Sequence, residues 1–236
     1  MLFLAHTAHW QFVGLLAGCL AWILIMATAG MDEWRLWHVD PENHTALITS
    51  GVAWVGIWRA CFHSHALPKM ETCQSMGVSE GFVPVEIRVA QVLVVLAMLG
   101  GLAGNAAAVV AVRRVYFSIE DGGGVRAPFV LAGALNVLTV ALVLVPLVWN
   151  TSSVLNNGTI PFPPRFRLPV APASQGVGTA IGVGFVAAAL MLISGLLFLS
   201  YQHVWRTLKP ELHGRRVAEE DKQGRDNLTF HADQVL

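Results

Sequence analysis

GVAWVGIWRACFHSHALPKMETC, residues Gly51 to Cys73, holds two of the chain's eight tryptophans and two of its three cysteines. It is rich in Val, Ile and Trp, the habit of a strand whose successive side chains point to opposite faces. "HALP" (65–68) reads as a turn, and "KMETCQSM" (69–76) is placed to return as a second strand. Cys61 and Cys73 then face each other across a hairpin, and in an oxidising compartment two loop cysteines are expected to pair. Closing such a ring contributes about 3 kcal/mol on the chain-entropy model. Two other readings stand beside it: free thiols, or metal ligands together with His63 and His65. Against metal, C-x11-C with an interposed H-x-H does not follow a usual zinc spacing. No C-x-x-C redox pair is present.

The stretch is too polar and too broken to span a bilayer, yet the surrounding chain is strongly apolar. Of 236 residues, 55% are hydrophobic and 13% charged, and mean hydropathy is +0.58. A soluble domain carries roughly a quarter charged residues, so the composition describes an integral membrane protein. A bilayer core of about 30 Å takes roughly 20 apolar residues as helix. Four segments qualify: Trp10 to Gly30, Val89 to Val112, Pro128 to Trp149 and Val177 to Tyr201.

None of the four contains Asp, Glu, Lys or Arg. Ionisable groups inside a membrane mark ion pathways and proton relays, so a pump or ion-coupled transporter is disfavoured. Asn105 and Asn136 are better explained as interhelical hydrogen-bonding groups. Small residues in "LGGLAGNAAA" (99–108) and "GVGTAIGVG" (176–184) suit close helix packing, within one bundle or between molecules. Pro146 is expected to kink the third span near its outer end.

Basic residues near the spans set the orientation. Arg113, Arg114 and Arg126 flank the middle connection, and Arg206, Lys209, Arg215 and Arg216 follow the fourth span. The first loop, 31–88, is acidic instead, with seven acidic against four basic residues. Both termini are therefore expected in the cytosol, with loops 31–88 and 150–176 outside. "MATAG" (26–30) resembles a signal-peptide cleavage site, but the first nine residues carry no Lys or Arg, and a retained helix is expected. Residues 1–208 then form one four-span domain. The tail, 209–236, belongs to a segment that mixes charges of both signs with few apolar residues and reads as disordered.

Sequons begin at Asn43, Asn150, Asn157 and Asn227. Asn43 and Asn157 are the glycosylation candidates. Asn150 lies too close to the bilayer, and Asn227 falls in the cytosolic tail. Neither loops nor spans offer a nucleophile–base or paired-carboxylate constellation, so no enzyme, cofactor or metal is expected.

Trp34, then Gly56-Ile57-Trp58, Cys61 and Cys73 in a long first loop resemble the claudin family, whose pattern is W…GLW-x-x-C…C. Arg35 stands where the family has an Arg beside its first Trp, and Arg88 stands where it has an Arg opening the second span. The wording of "EWRLW", "AWVGIW" and "LMLISGLLFLSY" is most similar to the divergent claudin-34-like branch. The resemblance implies an all-α four-helix transmembrane bundle bearing an extracellular antiparallel β-sheet of first-loop strands plus one second-loop strand. Gly56-Ile57-Trp58 is expected to anchor that sheet near the bundle. The resemblance further implies a tight-junction or cell–cell adhesion role, through self-association in cis and trans or with other claudins. An accessory or signalling tetraspan subunit is the alternative.

Several positions depart from the family. The cysteines are spaced wider, and Gln74 stands where pore-forming relatives often carry a charge. Gly77, Gly81 and Pro84 disfavour the short helix that precedes the second span in claudins. Phe162 and Phe166 of the proline-rich second loop are candidate partner contacts, or they pack on their own sheet. The end "DQVL" offers an apolar carboxy-terminus to a PDZ groove, with Gln234 in place of the usual Ser or Thr.

Overall fold

The computed structural model describes residues 2–39, 51–64, 71–117, 126–166, 168 and 172–200. Asn43, the turn at 65–68 and the carboxy-terminus lie outside the described residues. Four helices carry the chain: α1 (Leu2–Gly30), α2 (Val85–Phe117), α3 (Arg126–Leu155) and α4 (Thr179–Ser200). All four are long and apolar enough to cross a membrane. Leu16, Leu99, Leu131 and Leu196 stand half exposed on the bundle surface. That pattern suits lipid, where an apolar exterior carries no penalty and backbone groups are satisfied within each helix.

A layer of small and polar residues crosses the interior of the bundle. Asn105 of α2 donates to the Gly18 carbonyl of α1 at 3.1 Å, and Asn136 of α3 donates to Ser194 Oγ of α4 at 3.0 Å. Below this layer Phe129 and Phe198 pack against Ala108, Ala111 and Ala132. Above it the larger core runs without a break from Met191 and Val94 up to Trp34, Ile57 and Phe162.

Five strands form one antiparallel sheet: β1 (Arg35–Val39), β2 (Gly51–Val55), β3 (Arg59–Ser64), β4 (Glu71–Ser75) and β5 (Ser174–Val177). Their order is β4-β3-β2-β1-β5, so the second loop adds an edge strand beside β1. The run expected as one strand before "HALP" is two strands. It reverses at Gly56-Ile57-Trp58, where the Gly56 N–H donates to the Arg59 carbonyl at 2.9 Å.

Helix ends differ from the expected spans for local reasons. α2 starts at Val85, because the Pro84 carbonyl accepts from the N–H groups of Ile87 and Arg88. α3 runs to Leu155, which places Asn150 in a helix rather than a loop. Val177 belongs to β5 and not to the fourth span. Gly178 divides them: a Cβ there would lie 1.9 Å from the Glu33 carbonyl oxygen, so only glycine lets the chain pass. Residues 76–84 make turns rather than a helix, with the Val83 N–H bonded to the Glu80 carbonyl at 3.2 Å.

Candidate functional site

The inner face of the sheet is set by strand alternation. Arg35, Trp37 and Val39 of β1 and Gly51, Ala53 and Val55 of β2 all point to the bundle and are buried. Arg35 is the exception in character: a guanidinium with a side chain only 1% exposed. Its Nη2 reaches Glu86 Oε1 of α2 at 3.1 Å and Asn150 Oδ1 of α3 at 2.8 Å. Ser153 Oγ donates to the same Glu86 oxygen at 2.7 Å, and Asn150 Nδ2 donates to the Pro146 and Glu86 carbonyls. Burial draws Arg35 below the ordinary range of a guanidinium, while the Glu86 carboxylate pulls the other way. One side chain thus joins β1, α2 and α3.

Three further links complete the joint. Trp34 is 1% exposed, and its indole N–H caps the Thr28 carbonyl at the end of α1 at 2.9 Å. Gln91 of α2 donates to both the Ile57 and Met76 carbonyls, at 2.5 and 2.9 Å, stitching two strand connections to one helix. The N–H groups of Gly178 and Ala180 donate to the carbonyls of Trp34 and Glu33, and Thr179 Oγ1 bonds the Glu33 carboxylate.

The outer face follows from the same register. Leu36, Trp54, Cys61 and Cys73 form one cross-strand row, and Cys61 is bonded to Cys73. His38, Val52 and His63 form the next row, with the His63 ring 6.2 Å from that of Trp54. Arg59 sits at the foot of this face and pairs with Asp32 at 2.6 Å. The face mixes apolar Leu36, Val52 and Trp54 with the polar side chains of His38, Arg59 and His63.

Of the Gly56-Ile57-Trp58 triplet, Ile57 is the residue sunk in the core, at 1% exposure, whereas Trp58 is 37% exposed. The buried anchor is therefore Ile57, because the reversal at 56–58 turns the next side chain outward. Arg88 is half-buried, and its Nε has no partner among the described residues. Phe162 and Phe166 are buried and face inward: Phe162 meets Trp37 edge-on at 5.5 Å, and both contact Phe82. Arg165 closes over Phe82 and Phe166 and pairs with Glu80 at 2.6 Å. Asn157 is exposed. Glu86, Gln91, Asn150 and Ser153 were not singled out as site residues by sequence. The available signal was the polar residues crowding the ends of apolar runs.

These features define a class: a four-helix membrane protein with a five-stranded sheet clamped to one end of its bundle. A family model described as PMP-22/EMP/MP20/Claudin tight junction matches residues 19–200. Claudin-3 of Rattus norvegicus is 26% identical over 189 residues, covering 79% of this chain and 80% of that protein. Claudin-4 of Homo sapiens is 23% identical over 200 residues, covering 78% and 82%. The chain belongs to the PMP-22/EMP/MP20/claudin family. At these identities the match defines the family and not a branch within it.

Proposed function

We propose that this protein works at cell–cell contacts as a claudin-like tight-junction and adhesion protein. It would contribute to the paracellular barrier by self-association of its sheet, laterally and across the gap, alone or with other claudins. The observation that carries this reading is the Arg35 joint. The buried Arg35 guanidinium, its partly exposed partner Glu86 and their neighbours hold the sheet in fixed register on the membrane bundle, while Leu36 and Trp54 on the opposite face stay partly exposed. Head-to-head contact between membranes needs such a fixed platform, since a loosely hinged one loses its binding free energy to ordering. Gln74, standing where pore-forming relatives often carry a charge, supports a barrier over an ion-selective pore. On this reading both termini are cytosolic and the sheet faces outward.

Expression in cells that lack tight junctions, followed by freeze-fracture, tests the proposal. Intramembrane strands with enrichment at cell contacts are the expected result. Smooth fracture faces and even distribution, with normal surface delivery, would overturn self-association and leave an accessory-subunit role.

A further inference from the structure

Two sequons lie near the end of α3, and the structure separates them. Asn150 is fully buried inside the helix, and its amide is committed to Arg35 and to the Pro146 and Glu86 carbonyls. Asn157 is the opposite: it is exposed, and its amide makes no hydrogen bond among the described residues. Its main chain ends the helix instead. With φ of 54°, Asn157 donates its N–H to the Val154 carbonyl at 3.1 Å, and Gly158 donates to the Ser153 carbonyl at 2.8 Å. This is a Schellman cap, with Asn157 in the left-handed position that Gly or Asn fills. The cap accounts for Asn157 with backbone atoms alone. It does not require the exposed Thr159 that completes Asn-x-Thr.

We propose that Asn157 carries an N-linked oligosaccharide. In the transfer, Asn157 Nδ2 bonds to the anomeric carbon of a lipid-pyrophosphate-linked sugar. The bond from that carbon to the pyrophosphate breaks, the lipid pyrophosphate leaves with the electron pair, and the amide proton passes to a base of the transferase. The site rests on the outward orientation proposed above. The Gly158 carbonyl accepts from Gln175 Nε2 of β5 at 3.2 Å. A glycan on the preceding residue therefore stands beside the β5 edge of the sheet, across from the disulfide-bearing β4 edge.

The test uses the full chain in animal cells, with a tag at the amino-terminus. T45A, S152A and T229A together remove the other sequons while keeping the Asn150 side chain. In that background, digestion with peptide N-glycosidase is expected to increase gel mobility. Adding either N157G or T159A is expected to abolish the shift. N157G keeps the cap, because glycine favours the left-handed position, so surface delivery should persist. A shift that survives N157G or T159A overturns the proposal. So does the absence of any shift when the tag is reached only after permeabilisation. A tag reached in intact cells shows that the orientation itself is wrong, and the glycan falls with it.

Discussion

Arg35 shows how much one residue can decide. A guanidinium is buried at low cost only when its charge is paired and its donors are bonded, and here Glu86 of one helix supplies the charge and Asn150 of another an acceptor oxygen. Breaking a buried pair by removing one partner costs about 3–5 kcal/mol, because the other is left uncompensated, whereas replacing both is often tolerated. E86M, which leaves the buried Arg35 guanidinium without its carboxylate, is therefore expected to lower the melting temperature in detergent sharply, and R35M/E86M to recover most of the loss. An E86M protein that melts like the parent would show that the pair contributes little. Trp34 and Arg35 could be marked from the claudin-like wording around them. Their partners could not, since Glu86 and Asn150 lie 51 and 115 residues from Arg35, a distance that only folding closes.

Among the helices, packing overrides intrinsic propensity. Glycine in a helix interior costs about 0.8–1.0 kcal/mol against alanine, so Gly→Ala should stabilise wherever space permits. A Cβ at Gly182 meets nothing within 4 Å, whereas one at Gly104 would stand 2.2 Å from Asn136 Oδ1. G182A is expected to hold or raise the melting temperature. G104A is expected to lower it by displacing Asn136 from Ser194, with part of the loss recovered in G104A/N136A. Equal effects of the two single changes would contradict this packing. The existence of the four helices was legible from length and hydropathy alone. Their ends were not: α3 continues past Trp149 because its last turns hold Asn150 and Ser153 against Arg35 and Glu86.

For the molecule as a whole, sheet and bundle share one core and should unfold together. Trp34, Arg35, Gln91 and Gly178 tie the strands to α1, α2, α3 and α4, and buried side chains run without interruption between the two layers. Cooperative units give coincident transitions by different probes. Thermal unfolding in detergent, followed by tryptophan fluorescence and by the far-ultraviolet helix signal, is expected to give one midpoint. A sheet that melts first would mean a hinged platform and would weaken the case for trans adhesion. The Phe82, Phe162 and Phe166 cluster belongs to this scale too. Phenylalanines in a proline-rich loop could pack inward or meet a partner, and the inward pocket exists only once Trp37 and Phe82 have been brought together.

By itself, the sequence determined what depends on composition and local periodicity. These are four membrane-length apolar helices, a strand-forming first loop and a cysteine pair placed to close a hairpin. It also carried the motif that marks the claudin family. Tertiary structure alone decided what depends on long-range contact. It split the Gly51–Cys73 stretch into three strands, chose Ile57 over Trp58 as the buried anchor and assembled the Arg35 joint. It also left Asn157 open while burying Asn150. The reason is physical: propensity and hydropathy act within a few residues, whereas burial and ion pairing depend on which distant segments share a core.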